Sequence, residues 1–201
     1  MTSTDSKRGR PRAFDAEEAL ERAVEVFWRH GYEGASLAQL TTAMGINRPS
    51  MYAAFGSKEE LFRRAVAHYA EVDMAYAREA LEQPTAYEVA RAFLYANAEA
   101  LTRPDRPAGC LSVQGGLAAG ADGGRAAALL AQSRLRGERA LAERFARAVD
   151  EGDLPVGTSP TDLARFVMAV SEGHAVHAAA GVDRASLRAS ADIALRAIEH
   201  A

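Results

Sequence analysis

One cysteine, Cys110, in 201 residues leaves no partner for an intramolecular disulfide, and a chain without disulfides fits a reducing cytoplasm. Apolar stretches are short: none reaches the ~18–20 residues of a membrane-spanning helix. The basic N-terminal segment is followed by no apolar run, so a secretory signal is not expected. Alternating β-branched runs joined by two-residue turns are missing, which removes the strand signal and predicts an all-α fold. Also missing are the G-x-S-x-G, H-E-x-x-H, phosphate-loop and dinucleotide patterns, so no enzyme, metal or cofactor chemistry is expected. Gly115, Gly116 and Gly120 follow no strand and do not read as a phosphate cradle. The net charge of −3 argues against indiscriminate attraction to nucleic acid.

The chain does contain a series of helix starts. Asp15-x-x-Glu18, Ser36-x-x-Gln39, Ser57-x-x-Glu60, Thr85-x-x-Glu88 and Ser159-Pro160-x-Asp162 each place a capping side chain before an apolar-periodic run. Gly31 stops the first helix, and Ser57 opens the fourth. Thr85 opens the fifth, just after Pro84 breaks the preceding run. Residues 103–110, RPDRPAGC, form a Pro-rich connector, and residues 120–124, GADGG, a second break, with a short small-residue segment between them. A long helix is predicted from about Arg125 to Val149, then two Ala-rich helices over about 160–180 and 183–199.

Residues 36–58 carry the most chemistry. Leu37, Leu40 and Met44 form one apolar stripe, Gly45 supplies the left-handed exit, and Ile46 plugs the inter-helix space. Asn47 is a good N-cap, and Pro49 fits only in a first turn. This is a helix-turn-helix whose second helix suits a DNA major groove. Arg48, Ser50 and Met51 are candidates for base edges, since arginine can bridge guanine and apolar groups can touch a thymine methyl. Tyr52 is a candidate phosphate donor. Lys58 sits in the first turn of the next helix, against the helix dipole, a mismatch that a bound phosphate resolves. Lys7, Arg8, Arg10 and Arg12 lie on a Gly/Pro-interrupted arm suited to phosphates or a minor groove. An ordinary helical hairpin with a solvated basic terminus is the competing reading.

The sequence GRPRAFD followed by ALERAVEVFWRHGYEGASLAQLTTAMGINRPSMYAAFGSKEELF closely resembles the N-terminal domain of the TetR/AcrR family of transcriptional regulators. The likeness spans about residues 10–70; beyond it only helical character and length match. Ala35 stands where such proteins usually carry Thr, so any hydroxyl contact to phosphate falls to Ser36. The resemblance implies a head over 1–58 and a ligand-binding and dimerisation domain over 59–201. It further implies a homodimeric, ligand-responsive repressor of a palindromic operator in double-stranded DNA, with a small-molecule effector. Its last two helices would form a four-helix bundle with their twins. Interface candidates there are Phe166, Ala169, Gly173, Ala180, Leu187, Ala194, Ala197 and Ile198. Pocket candidates are Tyr76, Phe93, Leu117, Phe145, Phe166 and His174.

Two alternatives stay open. Cys110 is either a structural residue or the thiol of a redox-sensing regulator, with Arg103 and Arg106 near it in sequence. His174 and His177, three apart on one helix, are polar lining or surface residues, or with Cys110 a metal ligand set, though no specific ligand spacing supports the latter. Outside regulation, the chain would be a helical ligand-binding protein or enzyme without DNA binding.

Overall fold

The computed structural model describes residues 14–118 and 124–199, together with the backbone but not the side chains of residues 117 and 118. Lys7, Arg8, Arg10, Arg12 and the Leu117 side chain therefore lie outside the described residues. The described residues form α1 (Ala16–Gly34), α2 (Leu37–Met44), α3 (Arg48–Phe55), α4 (Lys58–Val72), α5 (Ala75–Leu81), α6 (Ala86–Leu101), α7 (Leu111–Ala118), α8 (Gly124–Asp150), α9 (Pro160–Ala179) and α10 (Arg184–Glu199). No strand occurs among them.

The predicted caps are where the helices begin. Asp15 accepts from the N–H groups of Glu17 and Glu18, Ser57 from Glu60, Thr85 from Glu88 and Ser159 from Asp162. Gly31 interrupts α1 with a kink, and a last short turn runs on to Gly34. One break carries no sequence punctuation. The run from Lys58 divides at Asp73 and Met74, so Thr85 opens the sixth helix, not the fifth. Asp73 ends α4 with its N–H on the Tyr69 carbonyl while its carboxylate turns to Arg106 on the distant connector.

Helices α1 to α4 make the head around Phe27, Leu40, Met51, Phe55 and Phe62. The Phe27 and Phe62 rings meet edge to face at 4.9 Å. That apolar cluster continues without a gap into Leu101, Leu111, Leu130 and Ala175 of the body. A second cluster, including Phe93, Leu141, Phe145, Val167 and Leu195, binds α6, α8, α9 and α10. The short connection after α8 returns α9 along it, and α10 lies against α6. Buried Arg144 donates to the carbonyls of Leu81, Gln83 and Pro84 at 3.1, 2.7 and 2.8 Å, satisfying the frayed end of α5.

Candidate nucleic-acid interface

Helices α2 and α3 are each capped by a side chain at the N-terminus and closed by a glycine backbone N–H at the C-terminus. Ser36 and Gln39 form a complete capping box: the Gln39 side chain accepts from the Ser36 N–H at 2.9 Å, and the Gln39 N–H donates to the Ser36 hydroxyl at 3.2 Å. Gly45 takes the left-handed conformation, φ 67°, that closes α2 and that residues with a Cβ rarely adopt. Asn47 accepts from the Ser50 N–H at 2.8 Å, and Pro49 occupies the first turn of α3. Neither eight-residue helix would persist alone in water. The core beneath fixes them.

Met51 and Phe55 are that anchor, 0% and 3% exposed. Met51 is therefore removed from the base-reading set: its side chain is spent on the core, as its spacing of four from Phe55 foretells. The outer face of α3 consists of Arg48, Pro49, Tyr52 and Ala53, all exposed, with Ser50 half-buried. The exposed apolar residues of this face are Pro49 and Ala53, which the sequence reading did not single out. Ser36 is exposed, but its hydroxyl already donates to Gln39 Oε1 at 2.7 Å.

Lys58 opens α4 beside this face. Its Nζ stands 4.5 Å from the centroid of the Tyr32 ring, which offsets part of the dipole mismatch through a cation–π contact. Partial burial lowers the ammonium's pKa, and the nearby Glu33 carboxylate works against that. Arg64 donates to the Ala54 carbonyl at 3.3 Å, tying α4 to the end of α3. Nothing in the sequence pattern singled out that arginine.

In the body, a chamber of about 70 Å³ is lined by Tyr69, Phe93, Asn97, Cys110, Val113 and Met168, among others. Of the pocket candidates, Phe93 is on its wall. Tyr76 lies behind it, accepting from Asn97 Nδ2 at 3.0 Å. Phe145 is fully buried in the second apolar cluster, and His174, 3% exposed, is also absent from the chamber wall. Phe166 is 39% exposed and does not line the chamber. Burial holds the His174 imidazole below its ordinary pKa, and both ring nitrogens lack partners, so a charged or metal-bound ring is unsuited to the site. No cluster of potential metal ligands occurs among the described residues. The Cys110 thiol is buried, takes the Tyr69 hydroxyl at 3.2 Å and lies 3.1 Å from the Ser112 hydroxyl. Among the described residues its side-chain contacts are two neutral hydroxyls.

The outward faces of α9 and α10 differ from the expected set. Leu187, Ala194 and Ile198, at 2%, 6% and 4% exposure, are buried within their own chain and cannot be an interface. Phe166, Ala169 and Val176 on α9 and Ala180 at its C-cap are exposed, with Gly173 half-exposed among them, and Ala185, Ala189, Ile193 and Ala197 are exposed on α10. Among the described residues no helix is long and apolar enough to cross a membrane.

Known proteins share this arrangement. The description "Bacterial regulatory proteins, tetR family" matches residues 19–65, and "Tetracyclin repressor-like, C-terminal domain" matches residues 86–194. The HTH-type transcriptional repressor ComR of Escherichia coli (strain K12) is 32% identical over 191 residues, covering 94% of this chain and 91% of its own. The E. coli repressor BdcR is 48% identical over 61 residues, 30% of this chain and 31% of its own. Among solved structures, a cysteine-substituted form of the regulator CifR, complexed with 26-bp double-strand operator DNA, matches with a TM-score of 0.89. It is 43% identical and covers 94% of this chain and 99% of its own. The chain is a member of the TetR family of bacterial transcriptional regulators.

Proposed function

We propose that the protein is an effector-controlled repressor that works in the cytoplasm and binds a palindromic operator as a homodimer. The exposed face of α3 carries this reading: Arg48 and Tyr52 stand clear of a helix whose Met51 and Phe55 are locked in the core. A rigidly held cation and phenol at one helix surface suit a base edge and a phosphate. Operator DNA bound to CifR supports the same use of the head here.

The division of labour falls near residue 58, with α4 shared by both parts. The apolar row on α9 and α10, with Phe166, Val176 and Ile193 39%, 46% and 63% exposed, is the surface two copies would bury. A Cβ built on Gly173 meets nothing within 4 Å, so this face is open in the single chain and allows close helix approach. Two heads related by a two-fold axis would meet two inverted half-sites.

The chamber is the place for an effector. From its wall, Cys110 touches the Tyr69 hydroxyl on α4, and the Tyr69 ring lies edge-on to Trp28 of α1 at 4.8 Å. A ligand that favours one arrangement of this contact line would shift the head, and one with equal affinity for both arrangements would shift nothing. Selection of fragments from genomic DNA by the purified full chain tests the proposal. Retained fragments should share an inverted repeat and be released as salt rises. Retention without a common sequence would overturn it.

A further inference from the structure

The polar atoms on the chamber wall are largely satisfied from within. Tyr69 donates to Cys110 Sγ, and Cys110 Sγ and the Ser112 hydroxyl pair with each other. Arg134 Nη1 donates to the Ser112 carbonyl at 2.5 Å, while its Nε faces Glu172 at 3.6 Å. Gly116 makes this possible, because a Cβ there would fall 2.8 Å from Arg134 Nη1. The two charges on the wall thus face each other, and neither an anion nor a cation finds an uncommitted partner. Burial favours the neutral form of Glu172 further, against the pull of Arg134.

Among the fully buried side-chain polar atoms of the lining, Asn97 Oδ1 is the exception. Asn97 is 3% exposed, its Nδ2 is used on Tyr76, and its Oδ1 has no hydrogen-bond partner. A buried carbonyl without a donor costs about 1–3 kcal/mol, and Asn97 shares the chamber lining with the apolar Phe93, Met74, Val113 and Met168 and with the hydroxyls of Ser133 and Ser171. The chamber's volume, about 70 Å³, is about half that of the ~150 Å³ apolar cavity known to accept benzene. An open groove of about 270 Å³ on the surface shares Met74, Ala77, Phe93, Ser133 and Gly137 with the chamber. Gly137 is common to both linings and carries no side chain between them.

We propose that the chamber takes a small uncharged molecule, mostly apolar and of about five non-hydrogen atoms, whose single N–H or O–H donor bonds Asn97 Oδ1, entering past Gly137. This inference rests on the reading of the protein as effector-controlled and specifies the chemistry of that effector. A primary amide or a short alcohol has the required form. A ketone, an anion and a cation of equal size do not.

Three isosteric probes separate these cases: propionamide, butanone and propionate differ only in whether the last atom is NH₂, CH₃ or O⁻. Their dissociation constants for the full chain, measured without DNA by ligand-detected NMR, should rank propionamide tighter than butanone by about tenfold, with propionate weaker than either. In Asn97→Leu the preference for the amide should vanish. Gly137→Phe should block all three probes while the helical content stays unchanged. Equal binding of amide and ketone by the unaltered protein would overturn the role of Asn97, whatever the variants do. Tighter binding of propionate would overturn the requirement for neutrality, and binding of none of the probes would overturn the chamber as a site for such molecules. Since no DNA is present, each of these results leaves the operator-binding proposal standing.

Discussion

Arg106 Nε lies 3.1 Å from the Asp73 carboxylate, joining the α6–α7 connector to the end of α4. The same guanidinium bonds Glu21 of α1 at 2.7 Å and approaches Glu25 at 3.6 Å. With side chains 10% and 5% exposed, Arg106 and Asp73 are a buried ion pair where head and body meet. The approach to Asp73 is at ion-pair distance without hydrogen-bond alignment, and both Asp73 oxygens lack a directed donor. Burial accordingly raises the Asp73 pKa, against the pull of Arg106.

Removing one member of such a pair strands the other charge. Arg106→Ala should lower unfolding stability by about 3 kcal/mol, and adding Asp73→Asn should restore much of it. Urea unfolding of the two single variants and the double variant checks this. Additive losses would mean that the pair is not coupled.

At the head, Tyr52→Phe and Lys58→Ala should each weaken binding to every DNA sequence by about 1–2 kcal/mol if both groups meet phosphate. Lys58→Ala should also flatten the salt dependence by roughly one unit, and Tyr52→Phe should leave it unchanged. Met51→Ala should behave differently, costing about 2–5 kcal/mol of stability without changing which base is preferred at any position. Affinity titrations at several salt concentrations, with melting curves alongside, distinguish these outcomes.

Ile193→Glu and Gly173→Glu place a charge on the outward face of α10 and α9, where the single chain has room for it. Each should shift the protein to monomer with helical content kept, because a charge at a close helix contact is costly unless paired. Sedimentation at micromolar concentration measures the shift. A monomeric unsubstituted protein would remove the dimer from the account.

Acid should loosen the body through His174. Its pKa is depressed in the folded chain by burial first and by His177 second, so the unfolded chain takes up the proton first. The stability from keeping this ring neutral is fully present above the ordinary histidine pKa of about 6.5. It is lost as pH falls from there through the lower folded value. His174→Leu should flatten the decline in melting temperature below pH ~6.5. An unchanged profile would assign the acid response to other groups.

What was legible in the sequence is what is decided locally. Asp15, Ser36, Asn47, Ser57, Thr85 and Ser159 bond N–H groups within three residues of themselves, so their caps needed no tertiary knowledge. At the break the Arg78 side chain donates to the Ala70 and Glu71 carbonyls and Asp73 faces Arg106, which is distant in sequence, and no proline, glycine or capping pattern there marks the end of a helix. Met51 was misassigned although its spacing from Phe55 held the answer. On α10 both faces are apolar, and its packing against α6 and α9 decides that Leu187, Ala194 and Ile198 turn inward while Ile193 and Ala197 turn out. Asn97 was readable: it is the lone polar residue on the buried stripe of Val89, Phe93 and Leu101.

The most direct measurement of the central claim is a base-by-base substitution scan of a selected operator, with the bound stoichiometry determined on the same fragment. Two inverted half-sites should emerge, each losing about 1–3 kcal/mol per critical base change, with two chains bound per fragment. Arg48→Ala should relax the preference at a symmetric pair of positions and leave the others sharp. A single asymmetric site, one chain per fragment, or a scan unaffected by Arg48→Ala would contradict a two-fold regulator that reads DNA through α3.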